Sequence, residues 1–201
     1  MPRKPNKSTP DKNTGSLRII GGQLRGRKLS IADVPGLRPT TDRIRETVFN
    51  WLQFELADAR VLDCFAGSGA LGFEALSRGA QLVILAEQDR QATQLLNEHA
   101  RTLSAAGSGQ ALVQPGDVLN FLKTPPAQPM NVVFVDPPFR LELAERTIAL
   151  LDQNQWVQEG SWVYIETEND WRGEVPLHWR LHREKVAGQV AFRLFEVGAP
   201  Q

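Results

Sequence analysis

The chain has a single cysteine, Cys64, in 201 residues. One thiol excludes an internal disulfide and any cysteine-rich zinc or iron–sulfur site, and it fits a reducing cytoplasm. Cys64 lies inside the apolar run VLDCF and reads as a small buried residue. No apolar run approaches the roughly 18 to 20 residues of a membrane-spanning helix. The start of the chain, MPRKPNKSTPDKNTG, is polar and basic and lacks the apolar stretch of a secretory signal. His99, His178 and His182 have no metal-ligand spacing, so no metal is expected. No apolar stripe is left over for a partner, which points to a monomer. Net charge is absent too, since 23 Lys and Arg meet 23 Asp and Glu.

That balance hides an asymmetry. Residues 1–51 hold 11 Lys/Arg against 4 Asp/Glu, a net +7, and residues 52–201 hold 12 against 19, a net −7. A basic end on an otherwise acidic chain is expected to meet a polyanion. Residues 1–15 have almost nothing to bury and are expected to form a disordered basic tail. Over 17–31, LRIIGGQLRGRKLSI, two short apolar runs flank a glycine-containing turn and predict a small hairpin. Arg18, Arg25, Arg27 and Lys28 would project from it. The next segment, RPTTDRIRETVFNWL, predicts a helix capped by Thr41 or Asp42, with Ile44, Val48, Trp51 and Leu52 on its apolar face. Arg43, Arg45 and Glu46 are expected elsewhere on its surface. The predicted organisation is a tail over 1–15, a hairpin and helix facing the polyanion over 16–56, and an α/β domain over 57–201.

From residue 60 onward strand patterns alternate with helical ones, the signature of a parallel sheet covered on both faces. The strands are RVLDCFA, QLVILAE, QALVQPGD, NVVFVDPPF and SWVYIETE. The helices between them are ALGFEALSRG, DRQATQLLNEHARTLSAAG, VLNFLK and ELAERTIALLDQ. The tail differs: WRLHREKVAG and QVAFRLFEV read as two strands joined at Ala187–Gly188, with no room for a helix. The expected architecture is a Rossmann-like α/β fold with five parallel strands and a C-terminal antiparallel hairpin, seven strands in all.

Within VLDCFAGSGALG, the glycines Gly67, Gly69 and Gly72 follow the first of these strands with the spacing G-x-G-x-x-G, and Glu87 ends the second strand 20 residues after Gly67. Such a turn lets a ligand approach the backbone at the carboxyl edge of the sheet, and the acidic residue suits ribose hydroxyls. The spacing alone fits two cofactors, a dinucleotide and S-adenosylmethionine. Asp63, four residues before Gly67, separates them. A carboxylate repels the pyrophosphate of a dinucleotide and attracts the ammonium and sulfonium of S-adenosylmethionine. Asp117 ends the third strand, where it can cap the next helix and also bond an adenine amino group while Val118 packs on the ring.

Asp136, Pro137, Pro138 and Phe139 leave the fourth strand directly. Prolines stop strands and Asp begins turns, but that does not account for a second proline and an aromatic at the ligand edge. The lone pair of an exocyclic amino group on a nucleobase is delocalised into the ring. Acceptors aimed at its hydrogens localise that pair and align the nitrogen, and Asp136 with the Pro137 carbonyl supplies them on a stiff loop. Phe139 offers a face on which an extruded base stacks.

These residues resemble the class I S-adenosylmethionine-dependent methyltransferases. Within that class the chain looks like the RsmD family, bacterial enzymes that form N2-methylguanine in small-subunit (16S) ribosomal RNA. The likeness spans roughly residues 17–197 and rests on RIIGGQLRGRKL, RPTTDRIRETVFNWL, VLDCFAGSGALGFEALSRGA, Glu87 and FVDPPF. It implies that Asp63, Gly67, Gly69, Glu87 and Asp117 contact S-adenosylmethionine and that Asp136 to Phe139 hold the guanine. It also implies that Arg18, Arg38, Arg43 and Arg45 lie beside the pocket, where they meet phosphates of 16S ribosomal RNA or the small ribosomal subunit. Transfer would be direct and in line, because no cysteine is placed for a covalent intermediate. Three other readings compete: an adenine-N6 nucleic-acid methyltransferase, an NAD-dependent oxidoreductase, and a non-catalytic RNA-binding factor on the same scaffold.

Overall fold

The computed structural model describes residues 15–32, 41–107, 109–138 and 142–199. The expected basic tail, Arg38 and Phe139 fall outside the described residues, apart from Gly15 at the end of the tail.

A two-stranded antiparallel ribbon comes first, β1 (Ser16–Arg18) and β2 (Lys28–Ser30), with Leu17 opposite Leu29. Helix α1 (Asp42–Trp51) follows, and Thr41 caps it by accepting a hydrogen bond from the Ile44 N–H. The main chain then alternates: β3 (Arg60–Asp63), α2 (Ala70–Ser77), β4 (Leu82–Glu87), α3 (Arg90–Ala106), β5 (Gln110–Pro115), α4 (Val118–Leu122), β6 (Val132–Val135), α5 (Leu143–Gln153) and β7 (Trp162–Glu168). It closes with β8 (Trp179–Ala187) and β9 (Val190–Val197). Among the described residues these strands form one seven-stranded sheet in the order β5-β4-β3-β6-β7-β9-β8. The pairs from β5 through β7 are parallel, and β9 runs antiparallel to both β7 and β8. This is the Rossmann-like sheet with a terminal hairpin that the sequence pattern predicts. No described helix is long and apolar enough to cross a membrane.

The chemistry of each element explains its place. The central strands β3 and β6 are apolar and buried, as a strand covered by helices on both faces must be. In α3 the buried residues Ala92, Leu96, Ala100 and Leu103 recur every three or four positions and turn one stripe to the sheet. Helix α2 is buried on every side, because the sheet covers one face and the N-terminal ribbon the other. The outer strand β8 exposes Arg180, His182, Arg183, Glu184 and Lys185, and its register shifts between Leu181 and Arg183. Charge and irregularity both discourage pairing at an open edge.

Two features differ from expectation. The ribbon and α1 share one hydrophobic core with the sheet, in which Leu17, Ile19, Leu24, Leu29, Val48 and Phe49 pack with Phe73, Leu76 and Phe134. Arg45 is the second. It does not lie on the surface of α1 but is buried at 1% exposure, so it leaves the set of phosphate-binding side chains. Its Nη2 donates to the Arg18 carbonyl at 2.9 Å and to Asp42 at 2.6 Å, and its Nη1 lies 3.7 Å from Glu74. Glu74, with no exposure, also accepts from the Ile20 and Gly21 N–H groups and from Arg78 Nε, each at 2.8 Å. A carboxylate so deep in the fold is tolerable only with donors on every side. Here those donors fasten the ribbon and α1 to α2.

Candidate functional site

Five neighbouring strands carry acidic residues at or just beyond their carboxyl ends. In spatial order they are Asp117 after β5, Glu87 on β4, Asp63 on β3, Asp136 after β6, and Glu166 with Glu168 on β7. Parallel strands bring these ends to one edge, where open α/β sheets bind ligands.

The glycine turn after β3 is built around Asp63. Its carboxylate is 2% exposed and accepts the Gly72 N–H at 3.0 Å. Gly72 sits against the sheet, and a Cβ there would meet Leu85 and Val83, so only glycine lets α2 approach this closely. Gly69 caps α2 at φ 79°, in the left-handed region, where a Cβ would run into Phe73 and Leu96. Glu87 is half-buried, accepts the Gly67 N–H at 2.8 Å and the Asp89 N–H at 2.7 Å, and so stands between the turn and α3. Asp117 is exposed and caps α4 through the Asn120 N–H at 2.8 Å. Val118 is buried beside it in the cluster containing Leu62, Cys64 and Ala86.

Desolvation by burial pushes the Asp63 carboxyl from 3.8 up to about 7, against the Gly72 hydrogen bond, and the charge of Glu87 adds to the rise. Among the described residues no Lys or Arg forms an ion pair with Asp63, Glu87 or Asp117. Such uncompensated negative charge fits a cationic cofactor with ribose hydroxyls and opposes a pyrophosphate. Burial also raises the Cys64 thiol well above its ordinary value, and Asp63 reinforces the effect. A thiol in that state is not a nucleophile.

Beyond β6 the turn opens onto a second region. Asp136 is half-buried, Pro137 buried and Pro138 exposed. Pro137 and Pro138 line a cleft of about 260 Å³ together with Glu142 and Glu145 of the α5 entry, Glu166, and Trp171. Glu166 is 7% exposed, and its Oε2 accepts the Tyr164 hydroxyl at 2.8 Å. Burial raises the Tyr164 hydroxyl well above its usual range, and the charges of Glu166 and Asp136 raise it further. Sequence reading missed Tyr164, Glu166 and Trp171. The signal available was a carboxylate within the apolar strand WVYIETE, next to the strand that bears the Asp-Pro-Pro turn. Trp171 packs against the buried cluster that contains Trp156 and Trp179, and it also forms a wall of the cleft.

Among the described residues the basic side chains of the ribbon form no ion pair with Asp63, Glu87 or Asp117. Arg18, Arg25, Arg27, Lys28 and Arg43 are all exposed on the ribbon and α1.

Comparison with known proteins decides the family. A family model described as conserved hypothetical protein 95 matches residues 17–196. Ribosomal RNA small subunit methyltransferase D of Escherichia coli (strain K12) is 53% identical over 96% of this chain and 94% of its own length. The chain belongs to the RsmD family. Its Haemophilus influenzae namesake is 46% identical over 90% of this chain and 94% of that protein. The solved yhhF protein of Escherichia coli superposes with a TM-score of 0.82 at 51% identity, covering 92% of this chain and all of that one (100%). Membership of the RsmD family makes the chain a methyltransferase, and the strand order and the acidic glycine turn agree with that chemistry.

Proposed function

We propose that this chain methylates the exocyclic N2 amino group of a guanine in small-subunit (16S) ribosomal RNA, using S-adenosylmethionine, in the cytoplasm. One juxtaposition carries the reading. The glycine turn with its unpaired carboxylates and the Asp136–Pro138 turn leave adjacent strands, β3 and β6, so cofactor and base meet across one strand spacing. The relatives, ribosomal RNA small subunit methyltransferases by name, suggest the RNA class.

S-adenosylmethionine, when bound, supplies an electrophilic methyl group on a sulfonium. The chain's own residues do the rest. Asp63, Glu87 and Asp117 bind and orient the cofactor through charge and hydroxyl or amino contacts, with Gly67 and Gly69 giving backbone access and Val118 an apolar wall. Asp136 and the Pro137 carbonyl accept the two amino hydrogens, which localises the nitrogen lone pair and points it at the methyl group. Pro138 keeps the turn rigid, and Phe139 stacks on the base. So held, the N2 nitrogen would be presented in line to the methyl group that a bound S-adenosylmethionine would supply, and the proton displaced from that nitrogen would leave to water. Arg18, Arg25, Arg27, Lys28, Arg38 and Arg43 hold phosphates of the RNA.

Nucleoside analysis of ribosomal RNA from cells lacking this protein tests the reading. N2-methylguanosine should disappear from one position of 16S RNA. Loss of N6-methyladenosine instead would transfer the assignment to the adenine chemistry. Calorimetry with S-adenosylhomocysteine and NAD side by side separates the oxidoreductase.

A further inference from the structure

We propose that Glu166 is the specificity-determining residue of the base cleft, accepting the N1–H of the target guanine on its Oε1 while Asp136 and Pro137 hold N2. The inference rests on the proposed guanine-N2 reaction and deepens it.

Three observations bear on it. The first is position. Register pairs Val135 of β6 with Ile165 of β7, so Glu166 stands beside Asp136 one strand over, and it lines the same cleft as Pro137, Pro138 and Trp171. The second is constraint. Tyr164 is fully buried and its ring packs edge-on to Phe134 and tilted to Phe192, with centroids 6.1 and 6.5 Å away. Its hydroxyl takes Oε2 and fixes the carboxyl plane. Among the described residues no hydrogen bond to Oε1 and no Lys or Arg pair with the group is found. Oε1 is not one of the buried atoms left without a partner, so it opens onto the cleft that Glu166 lines, where a ligand donor can replace water. Burial raises the Glu166 carboxyl above its ordinary value while the Tyr164 bond opposes the rise, and a bound N1–H favours the ionised form further.

The third is the chemistry of the base edge. Guanine presents N1–H and the N2 amino group side by side, both donors, which suit two adjacent acidic acceptors. Adenine has a bare N1 acceptor next to its amino group, and that lone pair would face Oε1 in repulsion. A site built to accept a donor rejects the analogue lacking it, because its own buried acceptor is then left unpaired. Glu166 thus chooses guanine and also turns the base so that N2 reaches Asp136.

The test uses the full chain and small subunits reconstituted with either guanosine or 2-aminopurine riboside at the mapped target. The analogue keeps the 2-amino group and lacks the N1–H. Wild-type protein should favour guanosine by roughly 30- to 100-fold in kcat/KM, the worth of one hydrogen bond to a charged acceptor. Glu166→Gln, whose amide can face the bare N1, should bring that preference to within about threefold while S-adenosylhomocysteine affinity holds. Tyr164→Phe should give an intermediate preference. Equal rates on both bases by the wild type would overturn the assignment without any variant, as would an undiminished preference in a folded Glu166→Gln. Failure of the wild type to methylate guanosine at all would instead overturn the reaction on which it rests.

Discussion

Asp63 holds its proton to about pH 7 because its carboxyl is desolvated, with Glu87 adding to the cost. Its unfolded value lies near 3.8, so over that window the native state binds a proton that the unfolded chain has released. Stability is therefore greatest at the acidic end and falls as pH rises from about 4 to about 7, by a few kcal/mol at most. Asp63→Asn removes the cost. Its melting temperature should gain on the wild type as pH is raised from 5 to 8, and a pH-independent difference would refute the account. A ligand that sets its ammonium group beside Asp63 has the opposite linkage, since it favours the ionised carboxylate. Calorimetry should show S-adenosylhomocysteine binding the wild type more tightly at pH 8 than at pH 6, with proton release, and should show a weakened, flatter profile for Asp63→Asn. In the proposed reaction Asp136 acts on the other reactant. Asp136→Ala should leave cofactor affinity within a few-fold and lower single-turnover transfer by about 100- to 1,000-fold, the usual effect of deleting one preorganised polar contact. Cys64 lies only one residue from Asp63, yet its buried, protonated thiol takes no part, and Cys64→Ala should turn over within a few-fold of the wild type.

Among the elements, α2 does more than follow the glycine turn, because Glu74 on its outer face gathers Arg45, Arg78 and the backbone of the ribbon. Glu74→Ala would take from the buried Arg45 guanidinium one of its two carboxylates, leaving Asp42, and would leave the Ile20 and Gly21 N–H groups and Arg78 Nε without their acceptor. That loss is worth about 3 to 5 kcal/mol, or a fall in melting temperature of roughly 10 °C for a chain of this size. Glu74→Gln, which keeps acceptors for Ile20 and Gly21, should fall less. Thermal melts of both variants check the ranking. The same helix pair shows where sequence reading stops. The apolar residues Ile44, Val48, Trp51 and Leu52 correctly announce a helix, but the buried face contains Arg45, Val48, Phe49 and Leu52, one residue round. Hydrophobicity cannot pick that face, because Arg45 is buried through polar partners, the Asp42 carboxylate and the Arg18 carbonyl of the ribbon, with Glu74 of α2 nearby. The parallel course of the first five strands was legible because strand patterns alternate with helical ones, and the terminal hairpin because only a two-residue turn at Gly188 separates its strands. The glycine turn and its acidic neighbours could be singled out by local spacing. The pairing of Tyr164 with Glu166 could not, since its place near the Asp-Pro-Pro turn comes only from β7 lying beside β6.

Over the whole molecule, charge is divided as the sequence divides it. The exposed cations Arg18, Arg25, Arg27, Lys28 and Arg43 occupy the ribbon and α1, and carboxylates line the sheet edge from Asp117 to Glu168. On the proposed function, a polynucleotide approaching such a surface would have its phosphates attracted to one region and repelled from the other, while an uncharged base with its donor edge outward would be admitted to the acidic cleft. Net neutrality conceals this steering, which depends on local fields and fades over about 10 Å at moderate salt. The shared core of ribbon, α1 and sheet keeps the two regions in fixed relation. Binding of small-subunit RNA should consequently weaken as salt rises, with a log–log slope set by the number of phosphates neutralised. The double variant Arg25→Ala, Arg27→Ala alters exposed side chains on the ribbon and should make that slope shallower by roughly 1.4 to 1.8, at 0.7 to 0.9 per contact. Its S-adenosylhomocysteine affinity should match the wild type, because neither side chain pairs with Asp63, Glu87 or Asp117. Filter binding across a salt series measures the slope; an unchanged slope would assign the RNA contact to another face, and a parallel loss of cofactor affinity would make the ribbon structural support for the cofactor cleft.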